Sequence, residues 1–217
     1  RPPVRHTRCQ SPLSSFASKP KTLRLAQPQK QCQAIDLKGF AVHSPRVLAW
    51  ARVRILLDYR PALRARTGVG EYAHQMASAL ARRLTPGDSL VLFSSSWKDR
   101  LPAGVIPGTS VVDARVPVTF LNLAWHRLEW PAIETFAGEV DVVHSMHPLL
   151  MPAERAAQVV TVHDLYFLDA PESTRAEIRR DYPALAASHA RRADAVITVS
   201  ESTAGQVRTR LGVDPTR

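Results

Sequence analysis

From position 52 onward, short apolar runs alternate with stretches in which apolar residues recur every three or four positions, and Gly or Pro separates them. This is the patterning of β-α units that feed a parallel sheet. Strand-like runs fall at 52–58, 89–94, 110–115, 140–144, 158–163 and 195–200. A helix is predicted over 70–84, where Tyr72, Met76, Ala79, Leu80 and Leu84 share one side and Glu71, His74, Gln75, Arg82 and Arg83 the other. Three more helices are predicted: 119–136, interrupted at Pro131; 173–193, with Pro183 as a kink or break; and 200–211, with Ser200 as N-cap and Gly212 closing it. The fold class expected is α/β, a Rossmann-like parallel sheet with helices on both faces.

The run Val159-Val-Thr-Val-His163-Asp164 carries the most information about chemistry. A strand buried on both faces reads as a continuous β-branched run, and open α/β sheets bind ligands just beyond the carboxyl ends of such strands. His163 and Asp164 stand at that position. Asp141-Val-Val-His144-Ser145 and Asp194-Ala-Val-Ile-Thr-Val-Ser200 repeat the arrangement, so three strand tips should present polar residues to one rim.

Composition divides the chain. The formal net charge of +10 would point to nucleic acid or an anionic membrane, but the first 52 residues contribute +9 of it and the rest only +1. The folded part is nearly neutral, and no nucleic-acid partner is expected of it. Both cysteines, Cys9 and Cys32, also lie in the first 50 residues, which are rich in Arg, Ser and Pro. That segment reads as a disordered basic leader of transit-peptide composition, or as sequence not native to the protein, since the chain starts at Arg1 without Met. Residues 51–217 form the expected domain. No apolar run reaches the length of a spanning helix.

Several constellations could carry function. The loop Arg64-Ala-Arg66-Thr-Gly68-Val69-Gly70 precedes the first helix, whose N–H groups and dipole, about half a positive charge, favour a phosphate or sugar hydroxyl. Its two glycines fall short of the dinucleotide fingerprint and also suit a plain turn. His163 can orient a hydroxyl or exchange a proton near neutrality, and His144 and His147 leave the preceding strand close by. No Cys, His-x-x-x-His pair or carboxylate spacing accompanies these histidines, so no metal is expected. Ser200 lacks the Gly-x-Ser-x-Gly elbow of a hydrolase nucleophile and suits a cap. The stretch 119–131, with Phe120, Trp125 and Trp130, either packs on the sheet or touches a lipid-linked substrate.

Taken in order, Thr67-Gly-Val-Gly-Glu-Tyr72, Trp125-His-Arg-Leu-Glu-Trp-Pro131, Asp141-Val-Val-His-Ser-Met-His-Pro148, Val160-Thr-Val-His-Asp-Leu165 and Ala193-Asp-Ala-Val-Ile-Thr-Val-Ser-Glu-Ser202 resemble the N-terminal domain of family 4 retaining glycosyltransferases. That group includes many bacterial mannosyltransferases. The resemblance implies the acceptor-side half of a two-domain GT-B enzyme that transfers a hexose from a nucleotide-sugar to a glycan or lipid-linked acceptor. The nucleotide-sugar is a co-substrate, no cofactor or obligatory metal is implied, and the setting is cytoplasmic, with an optional peripheral contact at the inner face of the membrane. His163 would reach the transferred sugar and Asp164 would hold its loop. Gly68 and Gly70 would face the donor phosphates and acceptor. Val69, Tyr72 and Ser200 join them as substrate-binding candidates, and His144 and His147 would line the acceptor side. Such enzymes continue into a donor-binding domain beyond the point corresponding to Val213–Arg217, so this polypeptide alone is expected to be inactive.

Two other classes compete. A nicotinamide-dependent oxidoreductase needs a third glycine and an acid at the tip of the second strand, where this chain has Phe93-Ser-Ser-Ser96. A non-catalytic binding module would keep the fold without needing His163.

Overall fold

Because successive strand residues point to opposite faces, an unbroken apolar run supplies two cores at once. The computed structural model, which describes residues 52–63, 66, 68–169 and 181–217, shows this in the strands at 54–58 and 89–95. Leu56, Val91, Phe93 and Val143 pack on one face with Leu121, Trp125 and Ile133. Leu57, Leu90 and Leu92 pack on the other with Tyr59, Ala73 and Ala77. The strands are β1 (Arg54–Asp58), β2 (Ser89–Ser95), β3 (Ser110–Ala114), β4 (Val142–Ser145), β5 (Ala157–Val162) and β6 (Ala195–Thr198). All pairs are parallel and the order is β3-β2-β1-β4-β5-β6. This is the expected Rossmann-like sheet, and the winding reverses between β1 and β4, the point beyond whose strand ends such sheets form a crevice.

Helix α1 (Val69–Ala81) covers one face, and α2 (Val118–Leu128) and α3 (Glu134–Ala137) cover the other. A short α4 (Tyr166–Asp169) follows β5, α5 (Tyr182–Arg192) precedes β6, and α6 (Glu201–Gln206) runs into a π-helical turn, Val207–Leu211. Ala190 of α5 and Val207 and Leu211 of that turn pack with Val162 and Leu165.

The aspartates that open two of the sequence phrases work on the opposite rim. Asp141 Oδ2 accepts the Arg54 N–H at 2.7 Å, Asp194 Oδ2 that of Gln158 at 2.7 Å, and Asp88 Oδ1 that of Val53 at 3.0 Å. Each fastens the start of a neighbouring strand, fixing register rather than chemistry.

Boundaries moved where local chemistry decides them. The break at Pro131 is wider than one residue: α2 stops at Leu128, Glu129 turns left-handed at φ 50°, and α3 begins at Glu134. Pro183 opens α5 instead of kinking it, because the first turn of a helix has no use for its missing N–H. The Ser200 cap and the left-handed Gly212 stand as expected, but the helix between them widens into the π turn. The leader with both cysteines, Arg64, Ala65 and Thr67 of the glycine loop, and residues 170–180, which include the opening of the predicted 173–193 helix, lie outside the described residues.

Gly70 explains how closely α1 approaches β1. A Cβ there would stand 2.5 Å from the Pro61 carbonyl oxygen, in the short 3-10 turn Arg60–Ala62 that follows β1. Gly70→Ala should therefore lower stability by about 1–3 kcal/mol in urea unfolding. Gly205→Ala, in α6 with open space around it, should instead raise stability by about 0.5–1 kcal/mol.

Candidate active site

The floor of the crevice is an ion pair. Asp58, the last residue of β1, is 0% exposed and meets Arg60, 8% exposed, through two side-chain hydrogen bonds: Nε to Oδ1 and Nη2 to Oδ2, both at 2.8 Å. The Arg60 backbone N–H adds a third at 3.1 Å. The guanidinium lies over Trp125 at 4.8 Å and Phe93 at 5.9 Å, and Nη1 donates to Asn122 Oδ1 at 3.0 Å. His147, after β4, brings Nε2 to 3.5 Å from Asp58 Oδ2, while its Nδ1 accepts the Leu149 N–H at 3.2 Å. Burial alone would raise the Asp58 carboxyl. The charge and hydrogen bonds of Arg60, with those of His147, outweigh it and hold the carboxyl well below the ordinary range.

One wall is the start of α1. Gly68 is its N-cap at φ 53° and ψ −117°, a conformation that side chains resist, and among the described residues no atom beyond its chain neighbours lies within 4 Å of where its Cβ would be. The N–H groups of the first turn have no intrahelical partner there. One turn along, the Tyr72 ring meets the His163 imidazole edge to face, with centroids 4.8 Å apart and planes at 90°. His163 Nε2 stands 3.2 Å from the Met146 carbonyl, which can only accept, so Nε2 carries the proton. The Thr203 hydroxyl donates to the His163 carbonyl at 3.3 Å, and Ser200 caps that helix by accepting the Thr203 N–H at 3.1 Å. Asp164 is exposed and accepts the Tyr166 N–H at 3.0 Å, so it shapes the turn into α4.

Behind this rim lie neutral imidazoles. His144, 6% exposed, shares a 2.8 Å hydrogen bond between Nε2 and Thr161 Oγ1, and burial pushes its pKa down to about 4. His189 of α5 accepts the Leu150 N–H on Nδ1 at 2.9 Å, and its pKa is likewise pushed down to about 4, mainly by burial. Among the described residues no cluster of three or more His, Cys, Asp or Glu is placed to hold a metal ion.

The Glycosyltransferase Family 4 model matches residues 66–217, which span the glycine loop, the histidine rim and the last helix. The chain belongs to glycosyltransferase family 4. No curated protein matches it. A family 4 domain acts on a sugar donor and an acceptor, and this one places its polar strand tips on the rim where the winding reverses. Among its described residues no helix is long and apolar enough to cross a membrane.

The structure brings Gly68, Val69, Tyr72, His147 and His163 to that rim. It withdraws two sequence candidates from its open surface: His144 is enclosed behind Thr161, and Gly70 is turned toward Pro61. Ser200 is exposed, with its hydroxyl committed to Thr203. The sequence reading missed Asp58 and Arg60. A charged residue closing a buried strand, with an arginine two positions on, is the signal that could have found them.

Removing Arg60 leaves a buried carboxylate without a counter-charge. Arg60→Met should cost about 3–5 kcal/mol in urea unfolding at pH 7, and adding Asp58→Asn should recover part of that loss. The buried histidines set a second slope. In the unfolded chain they bind protons below about pH 6.5, but in the fold only near pH 4. Their contribution is complete above pH 6.5 and is lost as pH falls toward 4, at up to about 1.4 kcal/mol per pH unit per histidine. His189→Asn, which keeps an acceptor for Leu150, should flatten the fall in urea midpoint between pH 7 and pH 5.

Proposed function

We propose that this domain is the acceptor-side half of a GT-B-type retaining hexosyltransferase, using a nucleotide-sugar such as a nucleoside-diphosphate mannose and a glycan or lipid-linked acceptor. The observation that carries the reading is the contact of His163 with Tyr72, which joins the strand-tip histidine to the helix start next to Gly68. In the reaction the bond from the anomeric carbon to the donor phosphate breaks, a bond from that carbon to the acceptor oxygen forms, and the acceptor proton leaves with the nucleotide. The negative charge that builds on the leaving diphosphate needs preorganised donors. The N–H groups of Val69, Gly70 and Glu71 and the dipole of α1 supply part of that need, Gly68 leaves the approach clear, and no metal ion enters this account.

His163 is suited to a sugar hydroxyl. With Nε2–H committed to Met146, it offers Nδ1 as an acceptor, and Asp164 holds the turn that carries it. His147, oriented by Asp58 and Leu149, stands on the acceptor side, and His144 supports the rim from below. The exposed Phe120, Leu123, Leu128 and Trp130 on and after α2 support a peripheral membrane contact, by which a cytoplasmic enzyme would meet a lipid-linked acceptor at the inner face.

His163→Ala in the natural gene product should lower kcat by about 10²–10⁴-fold, measured with the nucleotide-sugar and acceptor found by panel screening. Folding should be spared, because the imidazole is part-exposed and makes one side-chain hydrogen bond among the described residues. Unchanged turnover would leave a non-catalytic binding module as the better description.

A further inference from the structure

Tyr72 and His163 meet from different elements, one on the first turn of α1 and the other just past β5, so their edge-to-face contact is long range and fixes the ring as well as the backbone. The residue is held at three points, two of them on the ring. Its Nε2–H donates to the Met146 carbonyl after β4, its backbone carbonyl accepts from Thr203 on α6, and its face or edge is closed by the Tyr72 ring at 90°. Among the described residues Nδ1 has no hydrogen-bond partner. The phenol end of Tyr72 lies toward Thr161, the residue that holds His144.

We infer that Tyr72 is a positioning residue, which acts on the sugar only through His163 by locking that imidazole as its Nε2–H tautomer with Nδ1 left as an acceptor. The tyrosine was a candidate for direct substrate contact from its place in the glycine loop. Its ring instead spends one edge or face on the imidazole, and its hydroxyl end lies toward the sheet. Without the ring, the imidazole can turn about its side-chain bonds, break from Met146 and sample the other tautomer. A neutral histidine with Nδ1–H in that orientation presents a donor where an acceptor was, so a bound hydroxyl loses its partner.

The inference rests on the proposed role of His163 in sugar transfer, but the structural half can be measured without it. Nitrogen-15 spectra of the imidazole side chains, recorded on the whole polypeptide at pH 7.5, should show His163 as the Nε2–H tautomer in the native protein. An Nδ1–H form there overturns the inference before any variant is made. Tyr72→Phe keeps the ring and should retain that pattern, whereas Tyr72→Leu should give averaged tautomer signals. In the natural gene product Tyr72→Leu should lower kcat about 10–100-fold, as misplacement by a fraction of an ångström to an ångström does, with KM changed far less. Tyr72→Phe should restore kcat to near the native value. If Tyr72→Phe loses as much turnover as Tyr72→Leu while His163 keeps its tautomer, the phenol touches substrate directly and the inference fails. If His163→Ala leaves turnover intact while the spectra behave as described, the sugar-transfer reading fails and the positioning contact stands.

Discussion

A carboxylate with no solvent exposure at the end of the central strand is the constraint around which the rim is built. Asp58 cannot be left alone there, because an unpaired buried charge is too costly to keep, and its environment answers with Arg60 on both oxygens and His147 on one. Arg60 in turn has to be covered, and Trp125, Phe93 and Asn122 cover it. The pair therefore ties β1 to the loop after β4 and to a helix on the far face. Those are the elements that bound the crevice where the winding reverses. A well-packed apolar pair could serve stability as well. What the charged pair adds is direction, since a bidentate fork admits one geometry and sets where the β4 loop carries His147.

The same economy separates the histidines of the domain. His144 and His189 are enclosed and neutral, each spending a ring nitrogen on a neighbour, Thr161 for one and the Leu150 N–H for the other. They act as rigid hydrogen-bonding pieces of the core. His147 has both nitrogens directed at protein groups, which turns it into a spacer between Asp58 and the loop. Of these four, His163 alone is both part-exposed and left with a ring nitrogen that has no partner among the described residues. Four histidines near one crevice are thus not four candidates for chemistry. Burial and hydrogen bonding leave one that can answer a ligand.

What could be read from the sequence follows the range of the forces involved. The six strands were legible because each is a β-branched or aliphatic run, and the apolar stripe of α1 because its spacing is local. The rim was legible in outline, since His163 and Asp164 follow directly on such a run. Pro183 shows the limit of a local rule. A proline is compatible with a kink or with a first turn, and only the chain before it decides which. Asp58 and Arg60 were passed over because their meaning depends on Asn122 and His147, more than 60 positions away in sequence. The withdrawal of His144 has the same cause: a strand-end histidine reads as rim until Thr161 on the next strand closes over it.

The glycine loop shows how one short motif can serve two ends. Gly68 adopts a backbone conformation that a side chain resists, and the space beside it is open, so its lack of a Cβ serves an approach from outside. Gly70 faces the Pro61 carbonyl at a distance no Cβ could occupy, so its lack of a Cβ serves the packing of α1 onto the turn that carries Arg60. The second glycine sets how near the helix start comes to the ion pair, and the first keeps that start accessible. With Tyr72 one turn further along the same helix, the depth at which Gly70 seats α1 also sets the distance from the tyrosine ring to His163. The first-turn N–H groups and the tyrosine ring that meets the imidazole are therefore both placed by how Gly70 seats α1.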